Sequence, residues 1–107
     1  MSTFDEREKG YERKFQQEQE LAFKVRARRN KLLGLWAAKQ LGLSGAAAET
    51  FANELVASGL EHHGDDPLVE RIAKDFADKG VAIDATRVRI ELEHCANEAK
   101  KQFGAPR

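Results

Sequence analysis

Three observations predict an all-α fold, a four-helix bundle preceded by a mobile or weakly helical N-terminal arm. β-branched residues are few and the apolar/polar alternation of a strand is absent. Ala, Leu, Glu, Lys and Arg dominate, and apolar residues recur three or four positions apart, as one buried helical stripe requires. Glycines and Asp, Ser or Pro residues then punctuate the pattern into four segments.

The pattern begins abruptly at Leu21. Before it, the apolar side chains are Met1, Phe4, Tyr11 and Phe15, set among Asp, Glu, Arg, Lys and Gln. So little apolar area cannot offset the entropy of ordering the segment, so residues 1–20 are expected to form an arm and residues 21–107 the bundle. The first bundle helix is expected from Leu21 to about Leu41, burying Val25, Leu32, Leu33, Trp36, Ala37 and Leu41, with Gly42 at its left-handed C-terminal position. Ser44 is placed to cap a second helix with Ala48, Phe51, Ala52, Leu55 and Val56 inward, ending at Gly59. Asp66 and Pro67 read as N-cap and first residue of a third, which packs Leu68, Ile72, Ala73 and Phe76 and stops at Gly80. Asp84 caps the fourth, whose stripe is Val88, Leu92, Cys95, Ala96, Ala99 and Phe103, ended by Gly104 and Pro106.

Composition narrows the function. A chain of 107 residues makes one domain with a modest core. Charged residues reach 34%, yet Lys plus Arg and Asp plus Glu are 18 each, so no basic surplus exists to neutralise a nucleic-acid backbone. A single cysteine, Cys95, builds neither a disulfide framework nor a cysteine zinc site, and fits a reducing cytoplasm. The N-terminus is polar and acidic, unlike a signal peptide, and no apolar run is long enough to insert into a membrane.

The chemistry-bearing motifs are few. The chain has no phosphate loop, dinucleotide fingerprint, HExxH helix or GxSxG elbow. His94 and Cys95 are neighbours on a helix, which turns their side chains about 100° apart, so Cys95 reads as a small buried apolar residue. His62, His63, Asp65 and Asp66 read as a polar turn, since adjacent loop histidines rarely converge on a metal. No catalytic residue and no metal ligand is expected.

Two features remain. Lys24, Arg26, Arg28, Arg29 and Lys31 form a local basic cluster that splays round a helix; it is either a solvated face or a contact for a phosphate or an acidic partner. Phe4, Tyr11 and Phe15, separated by seven and four residues, share one side of a helix in the least foldable segment. Such a stripe either packs back on its own bundle or serves as the apolar face of a helix-in-groove ligand. Gly10 costs an isolated helix about 1 kcal/mol relative to alanine, which favours ordering on binding.

The stretches TFDEREKGYERKFQ, FKVRARRNKLLGLWAAKQLGL and DDPLVERIAKDFADKG together resemble the ATPase inhibitor zeta subunits of alpha-proteobacterial F-type ATP synthases, and ARRNKLLGLWAA is the most specific block. The resemblance implies a cytoplasmic, non-catalytic protein on the cytoplasmic side of the membrane-bound complex, monomeric when free. It implies an arm that becomes helical and wedges between alpha and beta subunits near the gamma rotor, blocking ATP hydrolysis. On this chain the anchors would be Phe4, Tyr11 and Phe15, and the polar contacts Asp5, Arg7, Glu8, Lys9, Glu12 and Lys14. Some members bind adenine nucleotides on the bundle, which here would fall to Arg26, Arg28, Arg29 and Lys31 without any resident cofactor. A nucleotide-sensing helical module and a non-inhibitory docking or assembly factor of the same complex are the alternatives.

Overall fold

Phe76 lies at the centre of a core assembled from four helices, fully buried with Leu33, Leu55, Val69, Ile72 and Val88 around it. The computed structural model describes residues 2–62 and 64–104, with side chains from residue 13 onward. The helices are α1 (Ser2–Gln40), α2 (Gly45–Glu61), α3 (Asp66–Asp78) and α4 (Ala85–Gln102), and the described residues contain no strand. α1 is the spine. It packs most extensively on α2, then on α4; α3 leans on α4 and only slightly on α2.

The α1–α2 seam is unusually close because its residues are small. Ala37, Ala38 and Ala52 are fully buried, and a Cβ added at Gly34 would meet the Ala52 Cα at 2.7 Å. On the opposite side Trp36 sits edge-on to Phe76, with ring centroids 5.7 Å apart, and the Arg87 guanidinium covers the indole. The edge-to-face geometry sets the positive ring edge of one aromatic against the negative face of the other.

Two turns use the same device. After α1, Leu43 N–H donates to Ala38 O and Gly42 N–H to Lys39 O, with Gly42 at φ 79°. After α3, Val81 N–H donates to Phe76 O and Gly80 N–H to Ala77 O, with Gly80 at φ 73°. These paired bonds satisfy the last helical carbonyls and require the left-handed region, which glycine enters without Cβ strain.

Several elements differ from the sequence reading, each for a physical reason. α1 starts at Ser2 and not at Leu21. A helix already anchored on a core extends without a new nucleation cost, and the preceding Glu, Lys, Arg and Gln residues are strong helix formers. The boundary expected at residue 20 therefore leaves no break in the helix. Gly59 does not end α2; it is buried inside it, where the Asn30 amide approaches so closely that a Cβ would collide with it. Asp65, not Asp66, is the N-cap position of α3, and neither its carboxylate nor the Ser44 hydroxyl makes a cap hydrogen bond. Asp84 does cap α4, accepting from Arg87 N–H at 3.0 Å. Phe103, expected in the core, is 42% exposed, because it follows the last turn of α4.

Candidate partner-binding helix

α1 is far longer than the bundle it belongs to. At about 1.5 Å per residue its 39 residues run to roughly 58 Å, and the molecule measures 66 × 26 × 23 Å. Among the described side chains Asn30 is its first buried one, and every side chain from Arg13 to Glu20 is exposed. The helices that cover its inward side stop early. The C-terminal end of α2 lies beside Arg26, whose guanidinium donates to Gly59 O and His62 O at 3.0 Å each. The C-terminal end of α4 lies beside Arg28, whose Nε donates to the Gln102 side chain at 2.6 Å.

Register shows what this leaves uncovered. At about 100° per residue, positions 4, 11 and 15 fall within an arc of about 40°, and Ala22, Arg29 and Leu33 fall in the same arc. Leu33 is fully buried core. The aromatic stripe is thus the outward continuation of the core face of α1, beyond the point where α2 and α4 end. Phe15 on that stripe is 55% exposed and Lys14 beside it is exposed. The side chains of Phe4, Asp5, Arg7, Glu8, Lys9, Tyr11 and Glu12 lie outside the described residues, although the backbone of α1 is helical through all of them.

The basic cluster is spread over four destinations. Arg26 closes the carbonyl end of α2, where a cation also complements the helix dipole. Arg28 reaches α4. Arg29 donates to both oxygens of Asp65, at 2.9 and 3.4 Å, and to Asn30 Oδ1, fastening the α2–α3 turn to α1. Lys31 contacts Glu49 at 2.6 Å and Asn53 at 2.7 Å on α2. Arg26, Arg28, Arg29 and Lys31 are each engaged with their own chain, and Arg26 and Arg29 border a common cavity. Sequence reasoning treated the cluster by charge and missed these helix-end roles, because the carbonyls concerned are 33 and 36 residues away.

That cavity, of about 520 Å³, opens where the α1–α4 seam loses its cover, lined by Leu21, Ala22, Val25 and Ala96 with Glu18, Arg26, Arg29 and Lys100. A second, of about 280 Å³, lies on the α2 side of α1, between Phe23 and Leu60. Phe23 is 54% exposed and Leu60 49%. Neither residue falls on the aromatic stripe, so periodicity along one face gave no signal for them.

The groups able to do chemistry are arranged for structure. Cys95 is 6% exposed, and burial, helped by the Glu91 carboxylate and opposed by Arg29, pushes its thiol from 9.0 up to about 11. A thiol held neutral is a poor nucleophile. His94 faces Glu91 at 3.5 Å instead of Cys95. Among the described residues no three His, Cys, Asp or Glu side chains gather as a metal site, and no helix is long and apolar enough to cross a membrane; His63 lies outside the described residues.

A small bundle with one helix extended beyond its partners, its inward face continuing into solvent, defines an all-α protein with a presented helix. The family model described as ATPase inhibitor subunit zeta matches residues 1–102. The chain belongs to the ATPase inhibitor subunit zeta family, whose name is that of an inhibitor subunit of the ATP synthase. No curated protein and no solved structure matched it.

Proposed function

We propose that the protein inhibits ATP hydrolysis by the F-type ATP synthase by laying the N-terminal half of α1 into the interface between alpha and beta subunits of the catalytic head, against the gamma rotor. The observation that carries this reading is the uncovered continuation of the core face of α1 through Ala22 and Phe15. A face with the register of a buried stripe and no partner in its own chain is suited to burial against another. Phe4, Tyr11 and Phe15 would fill apolar pockets, and Asp5, Arg7, Glu8, Lys9, Glu12 and Lys14 would pair along the flanks. A helix lodged there opposes closure of the catalytic interface and rotation past it. The protein would then act on the side of the membrane that carries the head, as a monomer and with no resident cofactor.

The test is the rate of ATP hydrolysis by the purified cognate head with the full chain or with a form lacking residues 2–15. The full chain is expected to give a saturable fall in rate and the shortened form none. Equal inhibition by both would sink the arm mechanism. Tight association without any change in rate would instead support a docking or assembly role.

A further inference from the structure

We infer that the bundle carries a second contact for the same partner: a collar around the point where α1 leaves it, which receives an acidic, amphipathic helix of the ATPase head. This rests on the proposed function for the identity of the partner and adds a surface that is not part of the arm. The floor of the collar is apolar and comes from three helices, with Leu21, Ala22 and Val25 on α1, Leu60 on α2 and Ala96 on α4. Ala22 and Arg26 line both cavities, so the two grooves meet across α1 and form one surface. The rim of the larger groove holds Arg26, Arg29 and Lys100 against the single carboxylate of Glu18. Asp65 compensates Arg29 and the α2 carbonyls engage Arg26, while no hydrogen bond or ion pair involves Lys100 among the described residues. An apolar floor with a net basic rim selects an apolar face flanked by carboxylates, and a furrow between two helices has the shape to seat a third.

Continuity supplies the partner. α1 is one unbroken helix, so Phe15 and Leu21 are only about 9 Å apart along its axis. Any protein that encloses the helix as far as Phe15 meets the collar one to two turns later. The arm alone would leave the position of the bundle unspecified; the collar fixes it and adds affinity without entering the catalytic interface.

Leu60→Ala and Lys100→Glu change the collar from α2 and α4 and leave every residue of the arm intact. Leu60 is exposed and Lys100 half-buried with no hydrogen bond or ion pair among the described residues, so the double variant should keep native far-UV circular dichroism and its melting temperature. Its concentration for half-maximal inhibition of the head is expected to rise tenfold or more, with maximal inhibition unchanged. Half-maximal inhibition at the native concentration overturns the collar and leaves the arm reading standing; failure of the native chain to bind or inhibit overturns the arm reading itself. Two other results also overturn the collar proposal. One is ATP shifting the resonances of Leu21, Val25 and Ala96 in the free chain, with head binding of the double variant unaffected, which makes the groove a nucleotide site. The other is a native dimer that the double variant abolishes, which makes the occupant a second copy of this chain.

Discussion

The two halves of α1 share a helix, a face and a residue alphabet, and differ in what lies opposite them. From Asn30 to Ala38 the helix is held by buried contacts with α2 and α4, with Leu33, Ala37 and Ala38 fully excluded from water. From Arg13 to Glu20 the same helix is exposed on every side. In the first region helicity follows from packing; in the second it rests on propensity and on continuity with a helix already formed. The comparison shows how one element can both belong to a core and present a ligand. α2 and α4 simply end first, and Arg26 and Arg28 tie off their ends.

The widest separation between the halves should appear on truncating one large side chain in each. Leu33→Ala removes buried apolar volume and is expected to cost about 2–5 kcal/mol, seen as a lower urea midpoint. Phe15→Ala, at a site 55% exposed, should leave the midpoint within about 0.5 kcal/mol while weakening inhibition. Comparable losses of stability would mean that the arm folds back on the bundle in solution, and the distinction between the halves would fall.

Glycine sharpens the contrast, because the same substitution should have opposite signs in the two halves. Gly34→Ala gains helix propensity of about 1 kcal/mol but drives a Cβ to 2.7 Å from the Ala52 backbone, so α1 and α2 must separate. Overpacking of that kind costs about 1–3 kcal/mol, and a net loss of stability is expected. Gly10→Ala is expected to gain helix propensity, about 1 kcal/mol at most, and to deepen the helical circular dichroism signal with no change in the bundle midpoint. At the boundary itself, Arg26→Ala removes two hydrogen bonds to the end of α2 and should cost about 1–2 kcal/mol in the same urea titration.

These positions also show what could be read from the chain. The stripe of α3, that of α4 as far as Ala99, the turns at Gly42 and Gly80 and the cap at Asp84 were legible because each depends on neighbours within a few residues. The aromatic stripe was legible for the same reason, as a matter of register along one helix. Gly59 looked like a helix end because glycine often is one; its reason for being glycine is Asn30, on another helix. The start of α1 was misjudged because a segment too polar to fold alone can still extend a helix that others stabilise. Arg26, Arg28, Arg29 and Lys31 are close in sequence and read either as a solvated face or as an anion contact; tertiary structure sends them to the ends of α2 and α4, the α2–α3 turn and the side of α2. The collar was invisible: Leu60, and Ala96 with Lys100, come beside Ala22 and Arg26 only after α2 and α4 return to α1.

The smallest expected effect tests how well the covered half excludes solvent, using the thiol of Cys95. In the fold that thiol loses its proton near pH 11, and in the unfolded chain near 9.0, because burial disfavours the thiolate and Glu91 adds to the effect. Below pH 9.0 both states hold the proton, and the contribution to stability is fully present. As pH rises from 9.0 to about 11 the unfolded chain ionises first, so the contribution is progressively lost. Every other ionisable group is common to a Cys95→Ala variant, so comparison with that variant isolates the thiol. The native melting temperature should therefore fall more steeply than that of the variant across this window, and run parallel to it at lower pH. Parallel curves throughout would mean that water reaches the thiol in the folded state. The seam between α1 and α4 would then be open well below the collar, and the covered half of α1 would be shorter than its packing indicates.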